Sequence, residues 1–190
     1  MAKVTARQAG AGGLAAAVVA AALSAAAPYG ETMINKWENG GRGPILVPYR
    51  DLVNVMTVCS GATHVEMRVY TREECEKIDK AVYYEFGYAV LGCTPEIHDK
   101  PKVLASAIVL AVNIGKSGYC RSTAARRFKA GNIAAGCDAY LLWNRATFRA
   151  PQPGKQCIQR PNGLWSCVVK GLENRRRDER GLCLSGAANR

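Results

Sequence analysis

Two carboxylates and a hydroxyl stand near one another early in the chain. Glu38 ends a short apolar run, Asp51 follows a glycine-rich loop, and Thr57 lies on the strand-like run beyond it. A carboxylate, a turn, a second carboxylate and a hydroxyl on a strand can make a hydrolytic site for a glycosidic bond. That chemistry needs one acid that holds its proton and one carboxylate that stays charged. Most Glu–Asp pairs in proteins are solvated surface charges, so the surrounding residues must carry the argument. Tyr49, Arg50 and Asp51 are consecutive, and Thr57, Cys59, Gly61 and Thr63 follow at alternate positions. Glu38 also sits at a helix C-terminus, where the macrodipole disfavours a negative charge. A functional reason for its placement is therefore expected.

The elements that must position these groups are short. Met33, Ile34 and Trp37 give residues 29–38 one apolar helical face. Gly40, Gly41 and Gly43 break that helix, and Pro28 is expected to bound it on the other side. Residues 45–63 read as two or three short strands, with Val53, Val55, Thr57 and Cys59 on one face. Thr71 and Glu74 form a capping box, which predicts a helix over 72–86 with Cys75, Ile78, Val82 and Phe86 buried. Residues 104–114 are apolar all round except Ser106 and Asn113, as expected of a helix buried on every side. Helices are expected at 124–129 and 133–143, and a stapled hairpin at 150–170 with a strand from Trp165 to Val169. Arg175, Arg176 and Glu179 share a helix face by their spacing. A solvated, salt-bridged face is the plain reading, and contact with an anionic glycan the functional one.

The chain has 190 residues, enough for one domain or a small lobe on a larger one, and a formal net charge of +11. A basic surface suits an anionic partner without choosing among nucleic acid, headgroups and cell wall. The aromatic residues are not interleaved with the basic ones as a single-strand binder requires, so no nucleic-acid partner is expected. The eight cysteines lack the short paired spacings of zinc sites, so no metal is expected. They point to disulfides in an oxidising compartment. Spacing leaves most pairings open; Cys120 with Cys137 and Cys157 with Cys167 are the expected ones. Lys3 and Arg7 precede an uncharged Ala- and Gly-rich run, residues 9–27. Its length can just span a bilayer with the N-terminus cytoplasmic. It holds few strongly apolar residues, each worth only about 0.3–0.6 kcal/mol on insertion. A cleaved signal peptide and a permanent anchor compete with a releasable anchor, which fits both the length and the weak composition.

The quoted residues resemble the phage-type lysozymes, glycoside hydrolase family twenty-four, and within them the endolysins with a signal-anchor-release N-terminus. The family run is Glu-Gly, a short loop, Tyr-x-Asp, then Thr-x-(Gly or Cys)-x-Gly-x-Thr. Glu38, Tyr49, Asp51, Thr57, Cys59, Gly61 and Thr63 match it. Asn39 stands where the family has glycine, Asn54 replaces a hairpin glycine, and the loop between Glu38 and Asp51 is longer. Asn113-Ile114-Gly115 matches the family's Asn-x-Gly, and the run from Gly171 to Leu184 matches its closing Gly-Leu-x-x-Arg-Arg-x-x-Glu-x-x-Leu-Cys.

The resemblance implies an α+β, mainly α, lysozyme-like fold: a small β-hairpin lobe (about 29–90) and a larger helical lobe (91–190), after an anchor segment at 1–28. It implies a monomeric muramidase, without cofactor, that cleaves the β-1,4 bond of peptidoglycan strands. Glu38 would be the general acid in a partly apolar cleft, Asp51 the ionised partner, and Thr57 the group holding a water. Tyr49, Gly61, Thr63 and Asn113 would contact substrate. Inversion would place the two carboxyl groups roughly 6.5–9.5 Å apart. The protein would be tethered to the host inner membrane by residues 9–27 and then released to the periplasm. Cys59, two residues from Thr57, is either a plain structural disulfide partner or a regulatory thiol. Two other readings compete: a lytic transglycosylase working from one Glu, and a non-catalytic exported wall-binding module.

Overall fold

A computed structural model of the protein describes residues 14–50 and 54–187. Its first element, α1 (Ala16–Glu38), runs unbroken through Pro28, against the expectation that this proline ends a helix. Proline removes one backbone donor and costs about 3 kcal/mol inside a helix. Packing overrides that cost here. Ala22, Leu23, Ala26 and Ala27 before the proline, and Gly30 after it, are buried against α2 (Arg72–Cys93) and α3 (Pro101–Ile114). Gly30 lies against the Tyr83 ring and Gly87 against Leu23, so either position would clash if it carried a Cβ.

The small sheet pairs β1 (Ile45–Arg50) with β2 (Met56–Cys59), antiparallel, with Tyr49 opposite Thr57 and an irregularity between Ile45 and Tyr49. Strict alternation fails in β2, where Thr57, Val58 and Cys59 are all buried. Asn54 and Cys59 carry φ values of 65° and 57°, which turn the chain out of the pleat. Asn is among the residues that tolerate this left-handed region, so Asn54 serves in the turn where a glycine was expected.

The capping box at Thr71 forms, but α2 continues to Cys93 and its buried face shifts. Cys75 and Ile78 pack under the hairpin with Val58 and Tyr70. Farther along, Tyr83, Gly87, Val90 and Leu91 are buried, while Val82 and Phe86 are only partly so. The helix serves two hydrophobic clusters in succession, so no single stripe describes it.

α3 is the centre of the helical lobe. Every residue from Val103 to Ala111 is buried, as its composition predicts. Around it lie α4 (Lys116–Cys120), α5 (Thr123–Lys129), α6 (Ile133–Asp138), a 3-10 turn (Ala139–Trp143) and α7 (Lys170–Ala187). A three-stranded sheet of β3 (Arg145–Phe148), β4 (Cys157–Gln159) and β5 (Trp165–Val168), in the order β3-β5-β4, precedes α7. Cys157 pairs with Cys167 as expected. The expected Cys120–Cys137 bridge is absent: Cys120 joins Cys93, and Cys137 joins Cys183. α4 packs on α2 and α6 packs on α7, so neighbours in space replace neighbours in sequence.

Candidate active site

Glu38 is the last residue of α1, and three interactions fix where the chain goes next. Asn39 donates its backbone N–H to Asn35 O (3.1 Å), and Gly41 N donates to the same oxygen (3.0 Å). Gly40 and Gly41 take φ values of 59° and 77°, which only glycine adopts freely. Gly43 N then donates to Asn35 Oδ1 (3.0 Å), folding the loop back on the helix end.

A second link joins this end to the hairpin. Asn39 Nδ2 donates to Ser60 Oγ (2.8 Å), and Ser60 donates from Oγ and from N to Asp79 on α2 (2.5 and 3.3 Å). Burial pushes the Asp79 carboxyl above its ordinary range, against the pull of these two hydrogen bonds. The Cys59–Cys75 disulfide ties the same turn to the same helix. Cys59 is fully buried and oxidised, as a structural partner would be. Neither Asn39 nor Asp79 carries a local sequence signal of a positioning role. In the sequence Asn39 is visible only as a departure from the family glycine.

α7 supplies the charged groups that meet Glu38. Arg175 Nη1 donates to Glu38 Oε1 at 2.7 Å. Arg175 Nε donates to Glu179 Oε1 at 3.0 Å, and Arg176 Nη2 donates to that same oxygen at 2.9 Å and to Asn113 Oδ1 at 3.0 Å. The expected solvated charged face is overturned, and with it direct contact of these residues with a glycan. The Arg176 and Glu179 side chains are wholly buried, and Arg175 is 7% exposed. Paired charges tolerate burial because each satisfies the other. Burial pushes the Glu179 carboxyl up to about 7, and it lowers the Arg176 guanidinium from its usual range. Glu38 keeps 30% of its side chain exposed, next to a charged partner rather than in an apolar pocket.

The remaining expected site residues are distributed as follows. Thr57 is buried, donates its hydroxyl to Val55 O (3.1 Å) and pairs across the sheet with Tyr49. Gly61 has φ of 100° in the turn closed by the Val58–Ala62 bridge, and Thr63 is exposed just after it. Asn113 belongs to the α7 ion network through its Oδ1. Asp51 lies outside the described residues. Its neighbour Arg50 donates from Nη1 to Asn54 O (3.1 Å) and Oδ1 (3.3 Å), linking the end of β1 to the residues just before β2. Among the described residues no group of three or more His, Cys, Asp or Glu side chains gathers as metal ligands.

Comparison with known proteins bears on the family and the fold. The family model described as phage lysozyme matches residues 39–179, beginning one residue after Glu38. A SAR-endolysin of Enterobacteria phage P21 is 31% identical over 153 residues, covering 78% of this chain and 80% of its own. The SAR-endolysin of Pseudomonas phage phiKMV is 30% identical over 139 residues, 72% of this chain and 76% of its own. Among solved structures, the active form of the P1 phage endolysin Lyz superposes with a TM-score of 0.66 at 18% identity, covering 95% of this chain and 99% of that one. An endolysin from Escherichia coli O157:H7 phage FAHEc1 gives 0.64 at 23%, covering 85% and 94%. These likenesses show the same fold. With the family model matching most of the chain, the protein belongs to the phage lysozyme family and is a lysozyme-type glycosidase.

Proposed function

We propose that the protein is an endolysin that hydrolyses the β-1,4 bond between N-acetylmuramic acid and N-acetylglucosamine in peptidoglycan, lysing the host cell. The observation that carries this reading is the seat of Glu38. Its carboxyl stands where the helical lobe meets the hairpin, held by a nearly buried guanidinium while part of it stays open to solvent. Glu38 donates the proton to the leaving oxygen. Asp51, next after Arg50 in the chain, serves as the charged carboxylate that directs a water onto the opposite face of the sugar, with Thr57 holding that water. This route inverts the anomeric centre. Tyr49, Gly61, Thr63 and Asn113 line the glycan path.

Mass spectrometry of muropeptides released from purified walls tests the reaction. Products heavier by one water support hydrolysis; anhydro-sugar ends indicate a transglycosylase instead, and no release leaves only wall binding. Glu38→Gln is expected to lower the rate of wall clearing by about 10²–10⁴-fold.

Residues 1–28 act as a releasable anchor, and 29–190 carry the catalytic residues but take Ala22, Leu23, Ala26 and Ala27 into their core. α1 is long and apolar enough to cross a membrane, yet its Ala22, Leu23, Ala26 and Ala27 also belong to the core. Leu23 and Ala26 cannot serve both at once. The chain is therefore incomplete while tethered to the host inner membrane with its N-terminus cytoplasmic, and complete once released into the periplasm. Lytic activity of membrane-held and released protein should differ; equal activity would end the tether idea.

A further inference from the structure

Glu179 is a buried carboxyl that the reaction does not touch, and it is one guanidinium away from the acid. Arg175 uses Nη1 for Glu38 and Nε for Glu179, so the two carboxyls share one cation. Arg176 balances the second negative charge and links Glu179 to Asn113 at the end of α3. Two cations and two anions thus form one closed group across α1, α3 and α7. We propose that Glu179 is a positioning residue for Glu38, acting through Arg175, and that its negative charge sets how high the pH can rise before the enzyme loses its acid.

The argument is electrostatic. When Glu179 is ionised, it offsets part of the positive charge that Arg175 and Arg176 direct at Glu38. When it is neutral, both guanidinium charges favour the Glu38 anion, which cannot act as an acid. The groups that face Glu179 are Arg175 and Arg176 from its own helix, Glu38 from α1, and Tyr140 from the turn before β3. The outer ion pairs Lys36–Asp178 and Arg180–Asp138 lie toward solvent, where charges are screened. Only one Glu179 oxygen is used: Oε2, Arg175 Nη2, and Arg176 Nε and Nη1 are buried without hydrogen bonds among the described residues. The carboxylate is thus incompletely solvated by its partners, and burial holds its titration near neutrality. As the pH rises to that point, Glu179 ionises and offsets part of the positive charge that Arg175 directs at Glu38.

This inference rests on Glu38 being the acid, and the experiment separates the two. With the full released chain, kcat/KM for wall clearing is measured against pH for the wild type, Glu179→Gln and Glu38→Gln. Folding of each variant is checked by near-UV circular dichroism. Glu179→Gln should keep substantial activity at low pH, with its alkaline limb moved down by about one pH unit. A uniform loss at every pH, with the limb unmoved, means a structural role only and overturns the proposal. Full activity in Glu38→Gln overturns the reading beneath it. Should Glu179→Gln fail to fold, carbon-13 NMR of carboxyl-labelled wild type decides. The Glu38 resonance, assigned by its loss in Glu38→Gln, should show a second inflection where Glu179 titrates; independent titrations refute the coupling.

Discussion

Arg175 gives the site its charge order at the residue scale. Its guanidinium forms a charge-assisted hydrogen bond with Glu38 and is itself anchored on Glu179. Glu38→Gln keeps the shape of that contact, so the variant should lose lysis with little change in thermal midpoint; a matching collapse of stability would show that the contact, not the acid, was lost. Glu179 also makes a prediction about stability. Burial lifts its carboxyl from an ordinary 4.5 to about 7. The folded chain therefore holds this proton more tightly than the unfolded chain does. Its contribution to stability is complete below about pH 4.5 and is lost as the pH rises through about 7. Urea unfolding free energy should fall across that window in the wild type and fall less in Glu179→Gln. Asp79, also raised by burial, adds a smaller dependence of the same sign in both proteins.

α1 is the decisive object at the element scale. A helix that reads as a membrane segment by composition here lays one face on the core, with Leu23 wholly buried beside Gly87 and Ile108, while Val18 and Tyr29 stay exposed. Leu23→Ala should cost about 2–5 kcal/mol of unfolding free energy in the released protein, measured by urea denaturation. A chain beginning at Tyr29 should fold poorly, because it lacks the side chains that cover α3. Native-like unfolding of that chain would show that the helix adds nothing to the core. The same packing carries Pro28 inside a helix, which no local rule anticipates. α2 teaches a related lesson: its capping box set where the helix began, but two clusters in succession decided which residues it buried.

Four disulfides bind the elements together at the scale of the whole molecule, and their reach differs. Cys137–Cys183 spans 46 residues and clamps α6 to α7, the helix that carries Arg175. By loop entropy it should stabilise the fold by about 4 kcal/mol, and Cys157–Cys167, spanning 10, by less. Removing the first bridge as a double serine variant should lower the urea midpoint more than removing the second. Equal effects would mean that the unfolded chain is not the state these bridges constrain.

The sequence by itself determined the family, the capping box at Thr71, the fully apolar α3 and the Cys157–Cys167 staple. Each of these is written in residue types at short spacing, where local geometry and composition suffice. Tertiary structure alone decided that Glu38 faces Arg175, that Arg176 and Glu179 are buried, that Cys120 and Cys137 take distant partners, and that α1 passes through Pro28 into the core. Helical spacing shows that charges share a face but not what that face meets. Charges on a helix end up buried or solvated according to the surface packed against them, and that surface here comes from other segments: Asn113 at the end of α3 lies 63 residues from Arg176, and Glu38 at the end of α1 lies 137 residues from Arg175.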